Sequence, residues 1–314
     1  MIGTDVSVAA SLLKEGEVVA IPTETVYGLA ANALDTKAVS KIYAAKKRPS
    51  FNPLIVHVSD LASAQRYVKN FPPIALKLAE AFWPGPLSIL LSKHSSIPDL
   101  VTAGLPNVVV RVPKHPITLE LLKKIDFPLA APSANISNTV SPTSAQRVNQ
   151  NLGERIKYVL DGGASEVGVE STIISAQNNK IVLLREGGIS QEQIESILGS
   201  KITLNTNAKI SSPGQLKKHY ATNKKLIVTD NLQKTLSNYN DKRCSALLYE
   251  TKEVPESVTS YHLSKTYNLP EIANNLFECM HLADEDKSEI IVVEKCKEEG
   301  IGRAINDRLR RASW

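Results

Sequence analysis

Two hydrophobic periods alternate along the chain. One repeats every three to four residues, as on a helix face, and the other forms the short apolar runs of buried strands. Val6–Leu13 has helical spacing, and Val18–Ile21 reads as a strand delivering Pro22, Thr23, Glu24 and Thr25. Thr36–Ala45 predicts a second helix, with Asp35 or Thr36 able to cap it. A strand at Leu54–Val58 and helices at Leu61–Val68 and Ile74–Phe82 follow. The turn Trp83-Pro84-Gly85-Pro86 leads into the strand Leu87–Leu91. Gly104–Pro106 turns the chain into Val108–Val112, where Arg111 sits among valines. A short helix over Thr118–Ile125 precedes the strand Pro128–Ala131. Small residues then crowd Ala131–Ser144, and Pro142 and Thr143 are expected to open a helix. Lys157–Leu160, Ser171–Ser175 and Ile181–Leu184 read as strands. Several strands follow one another with no helix between them, which predicts a twisted, mixed-sheet α/β domain rather than a strictly doubly wound one.

That domain is expected to span residues 1–198. Residues 199–224 change character: Asn205, Asn207, Ser211, Ser212, Pro213 and Gly214 lead to Lys217-Lys218-His219-Tyr220. From Lys225 the alternation restarts, predicting strands at Leu226–Thr229, Ser245–Tyr249 and Ile290–Val293. Helices are predicted at Leu232–Ser237, Glu271–Met280 and Ala304–Leu309, with a helix or strand near Val258–Leu263. Residues 225–314 therefore read as a small three-layer α/β module.

Composition narrows the classes. The chain has 314 residues, 42% of them hydrophobic, enough for two real cores. A net charge of +5 admits anionic partners without identifying a nucleic-acid binder. Cys244, Cys279 and Cys296 are too widely spaced for a disulfide framework or a zinc pattern, which suits a reducing cytosol. The first residues lack a basic leader followed by an apolar core, and no run reaches the roughly 18 apolar residues of a membrane span. No G-x-S-x-G elbow or Walker A sequence is present, and Gly300-Ile301-Gly302 lacks the third glycine of a dinucleotide fingerprint.

The candidate chemistry is dispersed. Lys46, Arg48, Arg111 and Arg185 recur at strand ends or in loops, and arginine offers a planar fork for phosphate or carboxylate. Ser133, Asn135, Ser141 and Thr143 could add neutral hydrogen bonds, and Glu24 and Glu170 are possible acids. His57 can point into a cleft or be a hydrogen-bonded core residue, and no second ligand is spaced to make a metal site with it. Spacing alone leaves these roles open, and solvated surface charge is the competing account.

Motifs in series go further: PTETVYGL at 22–29, KKRPSFNPLIVH at 46–57, GLPNVVVRVP at 104–113 and APSANISNTVSPT at 131–143. EST at 170–172, LLREGGIS at 183–190, SSPGQLKKHYA at 211–221 and GIGRAINDRLRRA at 300–312 complete it. In this order, and over almost the whole chain, they resemble the Sua5/YrdC/YwlC family in its two-domain Sua5 branch. The resemblance implies a YrdC-like N-terminal fold with an open basic cavity, a linker that can close over it, and a small Rossmann-like C-terminal domain.

It also implies a nucleotidyltransferase that makes L-threonylcarbamoyladenylate from L-threonine, bicarbonate or CO2, and ATP, releasing pyrophosphate. The product would pass to the machinery that modifies adenosine 37 of tRNA. Mg2+ would be held mainly by ATP phosphates, with no protein metal site. The setting is cytoplasmic and off the membrane, and direct tRNA contact stays open. Carried over by motif, Thr25, His57, Arg111, Ala131 and Ser171 correspond to the threonine pocket. Arg48, Asn52, Asn107, Ser133, Asn135, Ser141, Arg185 and Tyr220 correspond to the nucleotide pocket, with Lys46, Arg48, Arg111 and Arg185 carrying the charge work. Asn138 stands where the family commonly has glycine; asparagine tolerates positive φ, so a similar turn is expected. The competing reading is a non-catalytic RNA-binding or assembly protein on the same fold.

Overall fold

The computed structural model describes residues 1–177, 180–205 and 219–313. The expected linker run from Ser211 to Lys218 lies outside them. Among the described residues the strands form two sheets. The larger contains β1 (Ile2–Gly3), β2 (Val19–Ile21), β3 (Gly28–Asn32), β4 (Ile55–His57), β5 (Leu87–Ser92) and β6 (Asn107–Arg111). It continues with β7 (Leu129–Ala130), β8 (Tyr158–Leu160), β9 (Thr172–Gln177), β10 (Lys180–Arg185) and β11 (Thr203–Leu204). Their spatial order is β1-β8-β2-β3-β7-β4-β6-β5-β9-β10-β11, with parallel and antiparallel pairs mixed, as expected from the adjacent strands in the sequence.

Local chemistry explains most boundaries. Asp5 caps the helix Val6–Lys14 by accepting the N–H groups of Ser7 and Val8, and Asp35 caps Thr36–Lys46 through Lys37. The latter helix closes on Lys47 in the left-handed region, at φ 51°. Pro142 and Thr143 do not open a helix. Their carbonyls accept the N–H groups of Tyr27 and Ser165, and the helix starts at Ala145 with Ser144 as its cap. The helix from Leu61 ends at Gln65, short of Val68, which instead bridges to Lys93. Strand β3 and the helix Gln191–Leu198 were not marked by periodicity. The helix begins with a capping box between Ser190 and Gln193. Strand β11 pairs with β10, so the first sheet runs past residue 198.

The second sheet is all parallel: β12 (Lys225–Thr229), β13 (Cys244–Leu248), β14 (Thr259–His262) and β15 (Ile290–Glu294), ordered β12-β15-β13-β14. The ambiguous segment near Val258 is thus a strand. Alternate residues separate its faces. Ala246, Leu248 and Val292 pack with Leu232 and Leu236, whereas Leu247, Ile291 and Val293 pack with Phe277, Met280 and Leu309. Burying each large apolar side chain contributes about 1.5–3 kcal/mol before entropy is counted.

The two sheets are tied together by polar contacts. Arg147 grips Glu278 bidentately, Nη2 to Oε1 at 2.9 Å and Nε to Oε2 at 3.1 Å, and reaches Glu285 at 2.6 Å. Asn274 donates to the carbonyls of Ser165 and Glu166, each at 2.7 Å. Gly168, at φ +76°, lies so close that an added Cβ would stand 2.4 Å from the Ala273 carbonyl. Gly168→Ala is therefore expected to wedge this contact and destabilise the protein by about 1–3 kcal/mol. Denaturant unfolding measures this; an unchanged midpoint would show that the contact yields.

Candidate functional site

Several strands of the large sheet end at one cavity. It is lined by Thr23, Thr25, Arg48, His57, Arg111, Ala131, Ser133, Glu170, Ser171, Arg185, His219 and Tyr220, among others. Parallel pairing of β4 with β6 sets His57 beside Arg111 at the carboxyl ends of both strands. After β2, the Thr23 hydroxyl donates to the Val26 carbonyl at 2.6 Å and accepts the N–H groups of Thr25 and Val26. This tight turn aims Thr25 at Arg111, whose Nη1 donates to the Thr25 hydroxyl at 3.0 Å. Arg111 Nη2 lies 2.7 Å from Glu24, and its Nε donates to the Gly85 carbonyl at 3.2 Å. His57 Nδ1 is buried with no hydrogen-bond partner. Loss of hydration, then the charge of Arg111, pushes the His57 imidazole down to about 3, so it is neutral.

Two more arginines, Arg48 and Arg185, line the cavity. Arg185 directs Nε and Nη2 to the Ser171 carbonyl at 3.0 and 2.7 Å, and Nη2 also donates to the Ser171 hydroxyl at 3.0 Å. Ser88 supports that hydroxyl at 2.8 Å. Arg48 is half-buried and held by the carbonyls of Asn52 and Pro53, at 3.1 and 2.8 Å. Desolvation lowers both guanidinium groups to about 10, and each feels nearby arginine charge. Among the described residues, Arg111, Arg147, Arg185 and Arg308 are the buried arginines. Three have a carboxylate within ion-pair distance, while Arg185 is held by neutral Ser171 atoms. A buried cation lacking such a counter-charge suits an incoming anion.

Not every predicted residue reaches the cavity wall. The Lys46 ammonium is buried and bonded to the carbonyls of Ser133 and Asn135, tying its helix end to that loop. Asn135 is in turn engaged with Ile136 and Thr139. Ser141 donates to Glu170 at 2.7 Å, Asn52 is buried behind Arg48, and Asn107 begins the strand that Arg111 ends, about 13 Å away along it. Ala131 and Ser133 do line the cavity, as expected. Asn138 adopts φ +74°, the conformation its glycine-like position predicts.

His219 and Tyr220 close one side. Tyr220 is buried in the left-handed region at φ +60°, and its ring stacks on Phe277 with centroids 5.4 Å apart. Arg308, to which no motif gives a role, donates to Glu170 at 2.8 Å. Its signal was present: Ile305, Arg308, Leu309 and Ala312 repeat with helical spacing, so an arginine falls on the buried face.

The buried histidines carry a pH signature. Burial lowers His219 to about 3 as well, and His115 and His281 shift in the same direction. Unfolded histidines take up a proton near pH 6.5, so below that value the unfolded chain binds more protons. Stability is therefore full above about pH 6.5 and falls towards pH 3, by up to about 1.4 kcal/mol per pH unit for each of His57 and His219. Urea midpoints should drop between about pH 6.5 and 5, and His57→Gln with His219→Gln should flatten that drop. An undiminished slope in the double variant would reject neutral, buried imidazoles.

Comparisons with known proteins agree with one another. The family model Sua5_yciO_yrdC, described as "Telomere recombination", matches residues 11–187. A second, described as "Threonylcarbamoyl-AMP synthase, C-terminal domain", matches residues 189–313. Threonylcarbamoyl-AMP synthase of Pyrococcus abyssi is 39% identical over 98% of this chain and 94% of its own length. That of Bacillus subtilis is 41% identical over 97% and 92%. The crystal structure of P. abyssi Sua5 complexed with L-threonine superposes with a TM-score of 0.92 and 37% identity, covering 98% of this chain and 94% of that one.

Proposed function

The chain belongs to the Sua5/YciO/YrdC family with the Sua5 C-terminal domain, and we propose that its cavity makes L-threonylcarbamoyladenylate. The activity is nucleotidyl transfer. ATP and L-threonine are substrates, and pyrophosphate leaves. The observation that carries the assignment of the wall is Arg185, buried without a carboxylate in ion-pair contact, beside Arg48. Phosphates are the anions that such a pair fits.

In this reading Thr25, His57, Arg111, Ala131 and Ser171 hold threonine. Arg111 is already oriented by Glu24, Thr25 and Gly85, and offers its remaining N–H groups to the amino acid's carboxylate. The neutral His57 ring places no second positive charge beside the threonine amine. Arg48, Ser133, Arg185 and Tyr220 make the nucleotide side, and Lys46, Asn52, Asn107, Asn135 and Ser141 act through the loops and strand that carry it. The amine attacks CO2, derived from bicarbonate, and loses a proton to give an N-carboxylate. An oxygen of that group attacks the α-phosphorus of ATP, the bond to the β-phosphate oxygen breaks, and pyrophosphate departs. Alignment and electrostatic stabilisation carry the reaction, with no covalent protein intermediate.

Mg2+ would enter on the phosphates, its remaining positions filled by water. Among the described residues no group of three His, Cys, Asp or Glu is placed to hold a metal. No helix among them is long and apolar enough to cross a membrane. We place the protein in the cytoplasm, with residues 1–198 catalytic, 199–224 a closing linker and 225–314 the second domain. Its product is handed to the machinery that modifies adenosine 37 of tRNA.

The test is chromatography of nucleotides after incubation with ATP, Mg2+, L-threonine and labelled bicarbonate. A labelled adenylate with equimolar pyrophosphate, absent without threonine, is the expected result. Folded protein that forms none would return the reading to a non-catalytic binding protein. Arg48→Ala and Arg111→Ala are each expected to lower turnover by about 10²–10³-fold, and Arg111→Ala to lower the melting temperature as well, because Glu24 loses its counter-charge.

A further inference from the structure

The last helix, Gly302–Ala312, places Arg308 fully out of solvent, facing the N-terminal domain. Its Nε donates to Glu170 Oε2 at 2.8 Å, Nη2 to the Glu186 carbonyl at 2.9 Å, and Nη1 to Asp307 at 3.0 Å. The same guanidinium lies 5.5 Å from the centroid of the Tyr220 ring. Glu170 directly precedes Ser171, whose carbonyl and hydroxyl hold Arg185, and the second Glu170 oxygen accepts the Ser141 hydroxyl. One side chain of the C-terminal domain therefore touches two parts of the cavity wall, Glu170 and Tyr220, without lining the cavity itself.

We propose that Arg308 is a positioning residue for the reaction, fixing Glu170 and the Tyr220 ring so that Ser171 and Arg185 stand in register for the incoming phosphates. The proposal rests on the function assigned above. Tyr220 needs such support: a non-glycine residue in the left-handed region is strained, and here Phe277 and Arg308 hold the ring. Glu170 needs it too, because a buried carboxylate without a counter-charge takes up a proton or moves. The groups facing Glu170 are Arg308 from the last helix, which Asp307 shares, Arg185 from β10, and Ser141, His219 and Tyr220. Burial pushes its carboxyl up, but Arg308 and then Arg185 more than offset this, leaving it at about 2.

The test measures kcat and KM for threonine and ATP between about pH 5.5 and 8 in wild type, Arg308→Gln, Arg308→Lys and the Glu170→Gln/Arg308→Gln double variant. Arg308→Gln is expected to lose about tenfold or more in kcat with less than about threefold change in either KM. It should also gain an acid limb beyond that of wild type, activity falling further as pH drops and Glu170 protonates. Arg308→Lys should restore the wild-type profile but not the full rate, since one ammonium cannot span Glu170 and the Glu186 carbonyl. The double variant should lose the added acid limb, because the amide does not titrate. Wild-type kcat and profile in Arg308→Gln would overturn the proposal, as would a rate loss with no added limb that lysine leaves unchanged. If thermal melting shows Arg308→Gln unfolded, the Arg308→Lys profile and rate decide. Failure of wild type to form the adenylate would instead reject the assigned function.

Discussion

A guanidinium group removed from water must find oxygen for its N–H groups and compensation for its charge, and this chain meets that requirement at four buried arginines. Arg111 has Glu24, Arg147 has Glu278 and Glu285, and Arg308 has Glu170 and Asp307. The pairs of Arg147 and Arg308 with glutamates join the two sheets, so the need to compensate buried charge also sets where the second domain sits. Phe277 and Gly168 at the same junction supply stacking and close approach. Arg185 departs from the pattern, satisfied by neutral atoms of Ser171. Arg185 thereby brings to the cavity lining a charge that no carboxylate meets at ion-pair distance.

Around Arg111 the lining is built differently. In the proposed function, a hydroxyl turn, a pre-compensated arginine and a neutral imidazole receive an amino acid rather than a polyphosphate. The division matches a reaction in which an amine must stay nucleophilic at one end while negative charge is gathered at the other. Because the polar groups are anchored to strand ends or to backbone carbonyls, little reorganisation is needed as charge shifts.

Sequence periodicity located most elements, because burial on a sheet and on a helix face leaves distinct spacings. It failed where tertiary hydrogen bonds decided the outcome. Pro142 and Thr143 read as a helix start, but their carbonyls accept from Tyr27 and Ser165, residues that no local window contains. The motifs brought Thr25, His57, Arg48, Arg111, Ser171, Arg185 and Tyr220 to one cavity. They did not separate residues that line it from those that brace it. Lys46 looks like a phosphate ligand in sequence, yet its donors are turned to two backbone carbonyls. Arg308 was legible only as an arginine on an apolar helix face, since its partner lies 138 residues away.

That separation has a consequence in time. Protein synthesis proceeds at roughly 5–20 residues per second, so the 138 residues between Glu170 and Arg308 take roughly 7–28 seconds to make. Throughout that interval Glu170 lacks its principal cation, and from its own synthesis onward Tyr220 lacks the ring contact that Arg308 supplies. The order of translation thus withholds the finished wall until the last helix is made, and any pause in the second half of the message prolongs the wait.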